Sequence, residues 1–134
     1  MGKEIDLLVD YPKSKRNLAD RQSAKQEDKE NIVSIVRQFG KEFFDGDRIY
    51  GYGGYYYNPK YWEPVVPLLQ KQYGLTEKSK VLDVGCAKGF LLYDLTRLIP
   101  GITVAGLDIS QYAIDNSKED VQPFLKVGNA VELP

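Results

Sequence analysis

Between Val81 and Asp108 the chain reads as a strand, a glycine-punctuated turn, a helix and a second strand ending in an acid. Few architectures accommodate that succession. The residues are Val81-Leu82-Asp83-Val84-Gly85-Cys86-Ala87-Lys88-Gly89, then Phe90-Leu91-Leu92, then Ile102-Thr103-Val104-Ala105-Gly106-Leu107-Asp108. A buried parallel strand is continuously apolar, and a strand-to-helix turn that closes on a ligand needs glycine where a side chain would collide. Asp108 stands twenty-five positions after Asp83, where an acid at a strand tip accepts hydrogen bonds from the two hydroxyls of a ribose. A nucleoside ligand is therefore expected.

The turn narrows the choice of nucleoside. A dinucleotide fold uses Gly-x-Gly-x-x-Gly, because a pyrophosphate approaches bare amides at a helix start. Here the spacing is Gly85-x-x-x-Gly89, preceded by Asp83, whose carboxylate repels a diphosphate. It suits a ligand that carries an ammonium and a sulfonium instead. On these residues the chain resembles the class I S-adenosylmethionine-dependent methyltransferases, whose first motif is an apolar strand running into Asp-x-Gly-x-x-x-Gly. Asp83, Gly85 and Gly89 match it, and Asp108 matches the acid that ends the second strand. The resemblance implies S-adenosylmethionine as cofactor and S-adenosylhomocysteine as its product.

It extends to the end of the chain. Family members carry Gly-Asp-Ala before a Leu-Pro, with the acid capping the adenine amino group, and this chain reads Gly128-Asn129-Ala130-Val131-Glu132-Leu133-Pro134. Asn129 departs from the pattern, yet an amide carbonyl still accepts from an amino group. The resemblance thus assigns Asp83, Gly85, Cys86, Ala87, Gly89, Asp108, Ile109, Asn129 and Ala130 to the cofactor, with Ile109 lying on the adenine face. Cys86 is read as a small residue filling a tight turn. Lys88 reads either as a contact for the cofactor carboxylate or as a solvent-facing lysine.

Ahead of this region, Ile32, Val33, Val36, Phe39 and Phe43 recur at helical spacing and predict one amphipathic helix from about Asp28 to Phe44. The polar start, with Lys13, Lys15 and Arg16, reads as an arm. From Tyr50 to Trp62 the composition changes: six of the ten tyrosines and three glycines fall within thirteen positions. Glycines loosen a backbone and tyrosines offer flat faces with a polar tip, so a substrate lid is expected here, with Tyr50, Tyr52 and Tyr55 as its candidates. Asn58-Pro59 starts a helix, Trp62 to Tyr73 continues as helix, and Gly74 ends it. After the second strand, Ser110 caps a helix through Ser117, and Phe124 to Val127 forms a third strand.

The fold expected is therefore α/β: a Rossmann-like three-layer sandwich, here only the first βαβαβ half in strand order 3-2-1, preceded by N-terminal helices. Residues 1–79 form the arm, helices and Tyr/Gly-rich lid. Residues 80–134 form a partial cofactor-binding domain that stops before strand four, leaving strand one as an open edge for self-association.

Charge and composition exclude other classes. A formal net charge of −1 argues against a nucleic-acid partner, so an RNA methyltransferase ranks below one acting on a small molecule. A non-catalytic nucleoside-binding or partner module is the alternative of a different class. No apolar run reaches membrane-spanning length. The chain has one cysteine and no histidine, which fits a reducing cytoplasm and leaves no zinc-type ligand cluster, so no metal is expected. The missing histidine also leaves the catalytic base unassigned.

Overall fold

The structure, a computed structural model, describes residues 4–12, 26–47 and 50–132. Lys13, Lys15, Arg16, Leu133 and Pro134 lie outside the described residues.

The central element is β1 (Lys80–Val84), which runs parallel to β2 (Thr103–Asp108) in the register Lys80↔Thr103 through Val84↔Leu107. β2 in turn pairs in parallel with β3 (Leu125–Val127), Gly106 facing Leu125 and Asp108 facing Val127. The sheet order is β1-β2-β3. Between β1 and β2 runs α5 (Phe90–Leu98). Its Leu92 and Leu95, with Ile99 just beyond, stand at spacings of three and four residues and bury one stripe against Val104, Val121 and Leu125. Each such leucine, buried to 1% exposure or less, contributes about 1.5–3 kcal/mol. Gly106 lets this layer come close, since a Cβ there would stand 2.5 Å from Leu125 and 2.9 Å from Leu92.

The continuous burial expected of β1 does not occur. Its residues alternate, with Val81 packed on the core and Leu82 and Val84 54% and 44% exposed. Only one face of this edge strand is covered, and a strand covered on one face shows period-two burial however apolar its sequence.

Among the described residues, four helices precede the sheet: α1 (Gln26–Val36), α2 (Lys41–Asp45), α3 (Pro59–Trp62) and α4 (Val66–Tyr73). The single helix expected over Asp28–Phe44 is two, because the chain turns left-handed at Phe39 (φ 47°) and restarts after Gly40. The Ser110 hydroxyl anchors that break by donating to the Phe39 carbonyl. Ser110 also accepts from the Ala113 N–H at 3.0 Å, capping α6 (Gln111–Asp115), which is shorter than its sequence pattern implied. Asn58 caps α3 through the Lys60 N–H, and Gly74 ends α4 in the left-handed region. The expected Trp62–Tyr73 helix is thus divided between α3 and α4. Among the described residues no helix is long and apolar enough to cross a membrane.

Over residues 51–58 the glycine-tyrosine segment forms neither helix nor strand, and it docks on α2. The Tyr52 and Gly54 N–H groups donate to the Phe43 and Phe44 carbonyls, both at 3.0 Å. Phe44 is the buried residue of α2 and stacks on Tyr52, Tyr55 and Tyr112. The helical spacing pointed to Phe43 instead, which is only half-buried.

Candidate functional site

At the carboxyl ends of β1 and β2 the backbone turns sharply. Gly85, Ala87 and Gly89 have φ of 84°, 52° and 77°. The Gly85 and Cys86 N–H groups both donate to the Leu107 carbonyl, at 2.7 and 3.1 Å. Left-handed backbone at Ala87 costs about 1–2 kcal/mol. A hydrogen bond from its N–H to Asp108 Oδ2 at 2.8 Å offsets that cost. The other oxygen, Oδ1, accepts from the Ser110 N–H at 2.8 Å. Each oxygen of this half-buried carboxylate therefore keeps a lone-pair direction for a further donor.

The two glycines of the motif do different things. A Cβ on Gly85 would meet nothing within 4 Å, so this position borders open space. A Cβ on Gly89 would stand 2.9 Å from Val121 and 3.0 Å from Leu125, so this glycine admits the core. Asp83 lies beside the opening. Burial and then the Asp108 charge push its carboxyl above the ordinary value. Two carboxylates thus share the rim, an arrangement that favours a cationic or hydroxyl-bearing group over an anion.

Cys86 and Ala87 are both buried in the turn. Burial, then the Asp108 and Asp83 charges, push the Cys86 thiol up to about 12, so it is no nucleophile at neutral pH. Ile109 is 59% exposed next to Asp108. Gly128 donates its N–H to the Asp108 carbonyl at 2.9 Å and brings exposed Asn129 and Ala130 to the same end of the sheet. The Asn129 side-chain oxygen accepts from the Val131 N–H at 3.0 Å.

Lys88 follows neither reading made from the sequence. It is 4% exposed. Its ammonium lies 2.8 Å from both Asp45 oxygens and 2.7 Å from the Tyr55 carbonyl, which occupies all three donors. The rings of Tyr55, Tyr56 and Tyr112 stand 5.3–5.9 Å from it. Asp45 also accepts from the Tyr112 hydroxyl at 2.5 Å and the Tyr55 N–H at 2.9 Å. Burial pushes the Asp45 carboxyl up, but hydrogen bonds from Lys88, Tyr112 and Tyr55 outweigh it and hold it below the ordinary value. No local pattern marks Asp45 in the sequence, since its partner is forty-three positions away.

Next to this cluster is a cavity of about 350 Å³, lined among others by Tyr11, Tyr52, Tyr55, Tyr57, Trp62 and Phe90. Tyr52 and Tyr55 stack with centroids 4.5 Å apart. Tyr50 is not among the lining residues. Burial, neighbouring tyrosines and the Asp83 charge raise the Tyr55 phenol, while the Trp62 side chain donates to it. The Tyr57 hydroxyl donates to Asp94 Oδ1 at 2.6 Å, and burial followed by that carboxylate pushes its phenol up to about 12. Asp94 is fully buried; Arg97 joins it to Glu63, and its second oxygen is buried without a hydrogen-bond partner.

Residues 75–129 match the model of a family described as a methyltransferase domain. No curated protein matches the chain significantly. Among solved structures, the MccD protein aligns with 52% of this chain and 33% of its own at 28% identity, with a TM-score of 0.46. YjhP from E. coli aligns with 77% of this chain and 38% of its own at 19% identity, with a TM-score of 0.47. The chain therefore spans only 33–38% of the length of these structures.

Proposed function

From the premise that residues 75–129 are methyltransferase-domain sequence of the class I type, we propose that the chain binds S-adenosylmethionine where β1 and β2 end, and serves methyl transfer to a small-molecule acceptor. The observation that carries this reading is the open space over Gly85, bordered by Asp83 and with Asp108 bonded to the same turn. When bound, the cofactor supplies an activated methyl carbon.

The residues present fit such a group. Asp108 offers its remaining lone pairs to the ribose hydroxyls, and Asp83 faces a ligand ammonium, which would relieve the carboxylate repulsion at the rim. Gly85 gives the ligand room, while Cys86, Ala87 and Gly89 hold the turn in shape. Ile109 lies against the adenine, and Asn129 and Ala130 border its amino edge. In this reading residues 80–134 are the cofactor-binding half of a Rossmann-like domain, and residues 1–79 provide arm and lid, with Tyr52 and Tyr55 facing the acceptor and Tyr50 at the base of the lid. A reducing cytoplasm fits the lone, buried Cys86.

No histidine is available, and Tyr55 and Tyr57 stay protonated at neutral pH, so the cavity walls provide no strong base. The acceptor that suits them arrives with its lone pair already free.

A second reading has its own observation. Leu82 and Val84 are exposed on an edge strand, which favours association through that strand, with a second copy or as a non-catalytic module on a partner. A concentration-dependent mass by light scattering, abolished by Leu82→Lys, is its expected signature.

Calorimetric titration with S-adenosylhomocysteine tests the main reading, with NAD and Asp108→Ala as controls and circular dichroism to verify folding. Binding of the homocysteine nucleoside alone, lost in the variant, is expected. Binding of NAD instead would overturn it.

A further inference from the structure

The tyrosine cavity has a recognition chemistry of its own. Among the described residues, eight of the eleven that line it are aromatic, and none is Lys, Arg, Asp or Glu. Ring faces carry negative charge density, so such walls attract an alkylated cation by about 0.5–2 kcal/mol per ring. A volume of about 350 Å³ suits a compact ligand.

Two of the wall's polar groups are already engaged. The Tyr57 hydroxyl is spent on Asp94 Oδ1 and the Trp62 side chain on Tyr55, so Tyr57 presents lone pairs to the cavity. Behind the walls stand Asp94, with one oxygen unpartnered, and Asp83, whose charge acts on Tyr55. Among the described residues, the nearby cations lie elsewhere. Lys88 is held by Asp45, and Arg97 by Asp94 and Glu63. Lys60 and Lys118 each stand 5.0 Å from a wall tyrosine, Tyr61 and Tyr57, without lining the cavity. These rings already take ammonium groups at cation–π distance.

We propose that this cavity binds a small organic cation bearing an alkylated nitrogen, held by the faces of Tyr52, Tyr55 and Tyr57 beside Trp62. The binding stands independently of the methyltransferase reading, because an ammonium has no free lone pair and is not itself the methyl acceptor.

Fluorescence of Trp62, the only tryptophan, reports the test. The chain is titrated with choline and with 3,3-dimethyl-1-butanol, which has the same shape with carbon in place of the charged nitrogen. Choline is expected to bind about ten-fold more tightly than the neutral isostere, corresponding to one or two rings. Tyr52→Leu, at a half-exposed position that tolerates change, and Tyr57→Leu each weaken it several-fold, whereas Tyr57→Phe keeps the ring face and the binding. Equal affinity for the two probes, or choline binding indifferent to both leucine variants, would overturn the proposal. Asp108→Ala separates the two readings, because choline binding persists there even if S-adenosylhomocysteine does not bind at all. Competition between choline and S-adenosylhomocysteine would also overturn it, by making the cavity part of the cofactor site.

Discussion

Replacing Lys88 with methionine removes the one ammonium that ties three segments together. Lys88 follows the glycine turn, Asp45 ends α2, and the Tyr55 carbonyl belongs to the tyrosine segment. The two charged side chains are 5% and 10% exposed, so solvent screens the pair little. Breaking a buried pair while leaving its partner charged costs about 3–5 kcal/mol. Asp45 keeps hydrogen bonds from the Tyr112 hydroxyl and the Tyr55 N–H, which places the expected loss at the lower end, about 3 kcal/mol. In a chain of this size that lowers the melting temperature by about 10 °C. The pH dependence has a definite sign. The folded carboxyl of Asp45 titrates below its ordinary 3.8, so its contribution is complete above that value and is lost as pH falls through the folded one. The gap between wild type and Lys88→Met therefore narrows in acid. Urea melts of wild type, Lys88→Met, Asp45→Asn and the double variant, followed by circular dichroism, give the cycle. The double variant should lose clearly less than the sum of the singles. A loss below about 1 kcal/mol for Lys88→Met, or strict additivity, would refute the argument, because a buried and desolvated pair requires both effects.

Three other outcomes are expected. Asp83→Asn should raise the melting temperature at pH 7, because burial and Asp108 make the ionised carboxyl costly in the folded state. That cost is present above the raised folded pKa and disappears as pH falls through it, so the advantage of Asn should vanish in acid melts. Gly89→Ala combines a left-handed backbone with a contact at 2.9 Å, and should cost about 2–4 kcal/mol in a urea melt. Gly85→Ala faces open space, so only the backbone term of about 1–2 kcal/mol applies, while calorimetry should show S-adenosylhomocysteine affinity falling at least about ten-fold.

The parts legible in the sequence are those dictated by neighbours along the chain. The strand of Lys80–Val84, the Ser110 and Asn58 caps and the Gly74 stop each follow from residues a few positions apart, and each lies where the pattern puts it. The glycine spacing likewise identified a turn beside an acid, and the Ala87 N–H bonded to Asp108 joins the two. What the sequence hid depends on distant partners. The break at Phe39 is fixed by Ser110, seventy-one positions on, although helical spacing continues across it. Lys88 looked like a surface residue because nothing nearby announces Asp45. The apolar run of β1 implied two covered faces, whereas hydrophobicity does not say what covers a face. The tyrosine segment was recognisable by composition, yet only packing distinguishes Tyr52 and Tyr55 in the cavity wall from Tyr50 outside it.

The central claim is that a nucleoside cofactor meets this chain at the tips of β1 and β2. Amide chemical shifts, followed by ¹H–¹⁵N correlation spectra as S-adenosylhomocysteine is added to the full chain, test it residue by residue. The Ala87 amide is the most direct reporter, since its bond to Asp108 Oδ2 responds to any new partner of that carboxylate. The account predicts saturable shifts at Gly85, Ala87, Asp108, Ile109 and Asn129, with α1 unchanged. Saturable shifts confined to other residues, or none while the chain stays folded, would contradict it.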